Sequence, residues 1–175
     1  MLGSYLYKLK YKLSTPESRP VLASRRLGVK VGDGCIFFGK VNFGSEPYLV
    51  SLGRQVMLSD NVRFITHDGG IRVLDNMGIL PRADVFGTIR VGNNVFIGMD
   101  CIVLRGVTIG DNVVIGAGSI VTRDIESNSV WAGIPARRIK SIDEYAAGIE
   151  AEAIPVYGMQ ADEKEALIRD RFTAR

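Results

Sequence analysis

Between Val91 and Glu126, aliphatic residues return at every sixth position without a slip: VGNNVF IGMDCI VLRGVT IGDNVV IGAGSI VTRDIE. The first position of the six hexads is Val91, Ile97, Val103, Ile109, Ile115 and Val121. The fifth is Val95, Cys101, Val107, Val113, Ser119 and Ile125, all small or apolar. The fourth is Asn94, Asp100, Gly106, Asn112, Gly118 and Asp124. Asn, Asp and Gly tolerate a left-handed backbone at least cost. No α-helix repeats at six, and a flat strand needs no corner every six residues. The pattern predicts short β segments joined by corners, three hexads to a coil, with the aliphatic ladder inside. That is a parallel β-helix of hexapeptide repeats, an all-β fold.

The same rhythm extends upstream. It begins near Leu27, with VGDGCI at Val31 and FFGKVN at Phe37, and then breaks phase in FGSEPYLVS. Phe43 to Leu52 spans nine residues, one hexad plus three. LGRQVM, LSDNVR and FITHDG restore the period. Residues 69–88, GGIRVLDNMGILPRADVFGT, have no hexad and are punctuated by glycine and proline. They are expected to leave the coil as a loop and return by Ile89, and long loops on a rigid scaffold usually carry function. The β-helix is thus expected over 27–140, flanked by helical appendages at 1–26 and 141–175. In the first, Leu2, Leu6, Leu9 and Leu13 recur at helical spacing between lysines. This helix is expected to cover one open end of the coil. Contact with an anionic membrane surface is the alternative. In the second, Ser141 and Glu144 form a capping-box signature ahead of IDEYAAGIEAEA, and ADEKEALIRDRF closes the chain as a last short helix. Both are expected to cap the other end of the coil or a neighbour.

Composition adds limits. A 46% hydrophobic fraction is globular, and 20 glycines suit a chain of corners. No run of 18 apolar residues suggests a membrane span, and the N-terminus lacks a signal peptide's pattern. A reducing cytoplasm is therefore expected, with Cys35 and Cys101, both at the fifth hexad position, as small core residues. The net charge is +3, with an excess of basic residues in the first 30. No nucleic-acid module accompanies them, so nucleic-acid binding is not expected.

His67 is the sole histidine. It stands in FITHDGG, where the coil hands over to the loop. Elsewhere a lone histidine would be an ordinary surface or core residue. At this junction it is a candidate general base, since imidazole can accept a proton near neutrality. One coil is 18 residues, and the three extra residues near 43–52 make Glu46 as good a stacking partner for His67 as Leu49. Glu46 and Tyr48 are expected beneath His67, holding the imidazole or an acceptor. A surface turn on Glu46-Pro47 is the competing expectation. Asp68 ranks lower because neighbours on a β segment point to opposite sides.

GSEPYL, FITHDGG, IGDNVVIGAGSIVTRDI and WAGIPARRI together resemble the hexapeptide-repeat acyltransferases over roughly residues 27–145. The nearest likeness is to bacterial sugar and polysaccharide O-acetyltransferases. Galactoside, maltose and xenobiotic acetyltransferases are similar more distantly. The resemblance implies a left-handed coil, opposite to the usual crossover rule, and a homotrimer with sites between subunits. It implies acetyl-CoA as co-substrate and His67 as the base that deprotonates the acceptor for direct attack on the thioester. Gly98 and Met99 match the segment that often supplies an oxyanion donor. Methionine has no hydroxyl, so here only its backbone N–H is available. Ala117 and Gly118 match small residues beside the pantetheine arm. Thr122 and Arg123 match a Thr-Lys pair bordering CoA, and Arg137 and Lys140 match positions that reach its phosphates. Read without the resemblance, these basic residues are a solvated face. Arg105 stands where the family commonly has proline, which alters the rim of the groove.

The activity expected is O-acetylation of a sugar or polysaccharide precursor. N-acetylation of an amino sugar would use nearly the same chemistry. A non-catalytic β-helix is the alternative from another class, and it gives no reason for His67, the loop and the basic segment to occur together. One histidine excludes a His-rich zinc site, so no metal is expected.

Overall fold

The computed structural model describes residues 2–173. The side chains of residues 1–5, including the leucine at position 2 in the helical spacing, and the final two residues lie outside the described set. The chain divides into two compact units at Tyr145 and Ala146.

The first unit is a three-faced parallel β-helix. Sheet A stacks β1 (Lys30–Val31), β4 (Val50–Leu52), β7 (Ile89–Val91) and β10 (Thr108–Ile109). Sheet B stacks β2 (Ile36–Phe37), β5 (Met57–Leu58), β8 (Val95–Ile97), β11 (Val113–Ile115) and β13 (Ser129–Gly133). An antiparallel strand, β14 (Ala136–Ser141), closes that sheet. Sheet C stacks β3 (Val41–Asn42), β6 (Val62–Ile65), β9 (Ile102–Leu104) and β12 (Ile120–Val121). Successive strands come one from each face, so each coil turns three corners.

The hexad ladder forms the core. Residues at the first and fifth positions, from Val91 to Ile125, are all buried. Ser119 is the polar exception, and its hydroxyl donates to Gly116 O at 2.6 Å and accepts from Gly133 N at 3.1 Å. A buried hydroxyl so paired costs little. Five of the six fourth-position residues have positive φ, from 53° at Asn94 to 81° at Gly106. Asp124 does not. Its carboxylate instead accepts from Thr108 N at 2.7 Å, bridging to the coil above.

Coil length varies along the axis. Val91 pairs with Ile109 and Val103 with Val121, 18 residues apart. In the first coil, Val31 pairs with Leu52 and Val41 with Val62, 21 residues apart. The three extra residues sit in the turn Pro47–Leu49 between sheets C and A. This wider coil is filled by rings. Phe43 stacks on Phe64 at 5.3 Å and lies 5.8 Å from Phe37, and all three are buried. Phe64→Ala is expected to cost ~3–5 kcal/mol, because a ring-sized void cannot collapse between stacked backbones. A melt should register this as a loss on the order of 10 °C, and an unchanged midpoint would contradict this packing.

The N-terminal end differs from the sequence expectation. α1 (Leu2–Leu13) leaves Leu6, Leu9 and Leu13 exposed. The cover over the first coil is α2 (Arg19–Leu27), which buries Pro20 and Ala23 and ends at Gly28 with φ 78°. Arg19 explains the arrangement. Its guanidinium donates to Phe37 O and Phe38 O, satisfying edge carbonyls of the open coil, and to Tyr11 O. Tyr11 donates to Gly39 O at 3.0 Å. α1 therefore lays tyrosines, not leucines, toward the coil.

The loop leaves and returns through one antiparallel step. Asp68 N donates to Val85 O and Gly87 N to Thr66 O, both at 2.9 Å. Within it α3 (Ile71–Asn76) buries Ile71, a helix that the hexad period does not predict. Arg72 joins Asp75 and Asp84 across the loop.

Ser141 and Glu144 form the reciprocal capping box, Ser141 N to Glu144 Oε2 at 2.6 Å and Glu144 N to Ser141 Oγ at 3.0 Å. It opens α4 (Ile142–Ile149). In the second unit, α5 (Ala161–Thr173) buries no residue, and Phe172 is exposed. No helix of the described residues is long and apolar enough to cross a membrane.

Candidate active site

Where sheet C turns toward sheet A, the first coil carries Ser45 and Glu46, and the second carries Thr66 and His67. The 21-residue coil brings these two pairs into register. Glu46 Oε2 accepts from Thr66 Oγ1 at 2.7 Å and from Ser45 Oγ at 3.0 Å. His67 Nδ1 lies 3.0 Å from Ser45 Oγ and 3.3 Å from Glu46 Oε2. With both hydroxyl protons directed to the carboxylate, Ser45 Oγ and Glu46 Oε2 accept from the ring. The network therefore assigns the imidazole proton to Nδ1 and leaves the Nε2 lone pair free. The Glu46 side chain is 17% exposed and that of His67 45%, so the carboxylate is sheltered while the ring faces solvent.

The Thr66 hydroxyl, followed by those of Ser45 and the neighbouring imidazole, holds the Glu46 carboxyl below the ordinary carboxylate range, against the opposing effect of desolvation. Glu46 is therefore ionised throughout the neutral range. Its contribution to stability is present above the ordinary carboxylate pKa and is lost as pH falls through the lowered value.

Asp68 is engaged elsewhere. Its carboxylate receives Arg105 Nη2 at 3.0 Å and Gly70 N at 3.0 Å, and these bonds lower its pKa, Arg105 first. Arg105, where the resembling family commonly has proline, thus ties the loop's base to the next coil. Tyr48 is exposed and makes no hydrogen bond to His67. Ser45 and Thr66 were not singled out from sequence. The signal for them was the same 21-residue offset that pairs Glu46 with His67, since it stacks Ser45 beneath Thr66.

The remaining candidates fall on two edges. Thr122 and Arg123 follow β12 and share the corner of His67. Gly98, Met99, Ala117 and Gly118 occupy the corner between sheets B and C. There a Cβ on Gly98 would lie 2.6 Å from Ala117 N, and one on Gly116 would lie 3.0 Å from Ala132 Cβ. The coils along this edge touch backbone to backbone. Gly118, at φ 70°, opens onto empty space. Met99 O accepts from Gly118 N at 2.8 Å, while Met99 N has no acceptor among the described residues. Arg137 lies on β14 opposite Ala132, and Lys140 opposite Val130. Arg137 is exposed and Lys140 half-buried. Arg138 between them pairs with Glu126 at 2.9 Å.

A relative from Staphylococcus aureus, Protein CapG, is 44% identical over 150 residues, covering 85% of this chain and 86% of its own length. The family model for the bacterial transferase hexapeptide (six repeats) matches residues 88–123. The chain belongs to the hexapeptide-repeat acyltransferases. Its fold is that family's left-handed parallel β-helix. Among solved structures, it is similar to galactoside acetyltransferase in complex with coenzyme A, at 29% identity and TM-score 0.56, over 83% of this chain and 81% of that chain. It is also similar to a maltose O-acetyltransferase from Clostridium difficile 630, at 28% identity and TM-score 0.51, over 80% and 84%. The matched stretch 88–123 of the acyltransferase holds the edge of Gly98, Met99, Ala117 and Gly118. His67 and Glu46 lie upstream of it.

Proposed function

We propose that this acyltransferase moves the acetyl group of acetyl-CoA to a sugar hydroxyl of a polysaccharide or glycan precursor, with His67 as general base. The observation that carries this is the sheltered-carboxylate network at Nδ1, which leaves Nε2 without a partner on a ring that faces solvent. The acetyl-transferring relatives described above support the donor. Nε2 takes the acceptor's proton as its oxygen attacks the thioester carbonyl. The tetrahedral oxyanion is met by the Met99 N–H. The C–S bond then breaks, the carbonyl reforms, and the imidazolium returns its proton to the departing thiolate. Glu46 stabilises the imidazolium in between.

The separation of the two edges supports a site shared between subunits. Within one chain, β9 stands between the Met99 edge and the His67 edge, about 10 Å at ~3.3 Å per residue. Reacting atoms must approach to about 3–3.5 Å. We therefore read the site as shared between His67 of one subunit and the Gly98–Gly118 edge of the next; that the assembly is a homotrimer is what the family resemblance implies. Arg137 and Lys140, with Thr122 and Arg123, line the CoA phosphate end.

Release of the CoA thiol, followed across sugars, amino sugars and nucleotide sugars, tests the activity. No release with any sugar would overturn it. Arg137→Ala with Lys140→Ala is expected to raise the acetyl-CoA KM about tenfold, the scale of a lost charged hydrogen bond, with kcat little changed. A lowered kcat at unchanged KM would remove these residues from the phosphate end.

A further inference from the structure

A groove of about 730 Å³ runs between the N-terminal helices and the first strand of sheet C. α1 contributes Tyr7, Lys8, Tyr11 and Lys12, and the coil contributes the stretch from Gly39 to Gly44. Among the described residues that line it none is acidic, and the Asp60 carboxylate behind the coil segment accepts from Lys40 N at 2.6 Å. Arg19, also in the wall, is committed to backbone carbonyls and to the face of Tyr11 at 5.3 Å. Lys8, Lys12 and Lys40 have no salt-bridge partner among the described residues. Lys8 and Lys12 stand four apart on one helix, where like charges disfavour the helix unless an anion lies between them.

The tyrosines give the groove a second character. Their rings lie 5.8 Å apart and tilted by 48°, and they line the groove together with the lysines. Burial raises both phenol pKa values, so each stays neutral, with the Tyr11 hydroxyl donating to Gly39 O. At its coil end the groove finishes at Gly44, and the next residue, Ser45, touches His67. Its size falls within the ~300–1,000 Å³ of sites that hold drug-sized ligands, so a lone neutral monosaccharide would leave much of it to water.

We infer that this groove holds the phosphate-bearing part of the acceptor, a glycosyl phosphate or diphosphate whose anionic end sits on Lys8, Lys12 and Lys40 while its sugar passes Gly44 to reach His67. The inference rests on the acetyl-transfer role proposed for His67, but binding can be measured without it. In calorimetry on the full chain without acetyl-CoA, pyrophosphate, glucose 1-phosphate and UDP-glucose are expected to bind, and glucose is not. Tighter binding of UDP-glucose than of glucose 1-phosphate would assign a nucleotide-linked source, and the reverse a simple sugar phosphate. Lys8→Gln/Lys12→Gln/Lys40→Gln is expected to weaken pyrophosphate at least ~10-fold, as lost charged contacts do. Lys40→Gln alone, off the helix, should weaken it in the same direction. Lys10→Gln, outside the groove, should leave it unchanged, and so should His67→Ala. Pyrophosphate that fails to bind, or that binds the triple variant as tightly as the unaltered chain, overturns the inference. Lysine-dependent binding without any CoA release would leave the groove standing and overturn acetyl transfer.

Discussion

His67→Ala is expected to lower kcat by ~10²–10⁴-fold, the usual contribution of a positioned general base. The side chain is nearly half exposed and belongs to no part of the buried ladder. The melting temperature and the assembly should therefore hold, and acetyl-CoA binding should persist, since His67 bonds to Ser45 and Glu46 and to none of the residues proposed to hold CoA. Any rise of kcat/KM with pH that the unaltered enzyme shows through its general base should be absent from the variant. Glu46→Gln separates positioning from chemistry. The amide keeps the hydroxyl contacts but cannot stabilise the imidazolium, so kcat should fall while the acceptor KM changes little. More than about a third of wild-type kcat in His67→Ala, far above what a lost base leaves, would remove His67 from the reaction.

Two inactive variants should restore activity when they assemble together. His67→Ala disables one edge, and Ala117→Trp places a bulky ring on the exposed corner where the family resemblance puts the pantetheine arm. Ala117 is exposed, so its replacement should not disturb the core. In randomly mixed trimers, a site between subunits draws its base from one chain and its CoA edge from the next, so about one site in four receives both intact edges. Co-expressed chains should show about a quarter of the unaltered activity, against under a hundredth for the His67→Ala parent. Mixed trimers no more active than the average of their parents would confine each site to one chain. Assembly would then be irrelevant to catalysis.

The ladder from Val91 to Ile125 was legible because each hexad repeats the same local problem. An aliphatic residue must point inward, and a corner must follow within six residues. Such a periodic solution needs no knowledge of distant contacts, and burial at all twelve first and fifth positions follows from it. The stacking of Glu46 under His67 was also within reach, since it depends only on counting three extra residues in one coil. Asp124 departed from its corner class because a carboxylate can bridge to a backbone N–H on another coil, a choice its own hexad does not contain. Arg105 and Asp68 are 37 residues apart and meet only because the loop closes at its base. The leucines of α1 show the limit most plainly. Their spacing specified a helix and its apolar stripe, but not what that stripe would meet. Arg19 and Tyr11 satisfied the open carbonyls of the first coil and turned the tyrosine side inward. The sequence alone determined the periodic backbone, where each residue's neighbours are set by its place in the repeat. Only the tertiary structure decided the ends, the loop and the partition of the candidate residues between two edges, because those follow from which unpaired polar groups the folded coil leaves to be satisfied.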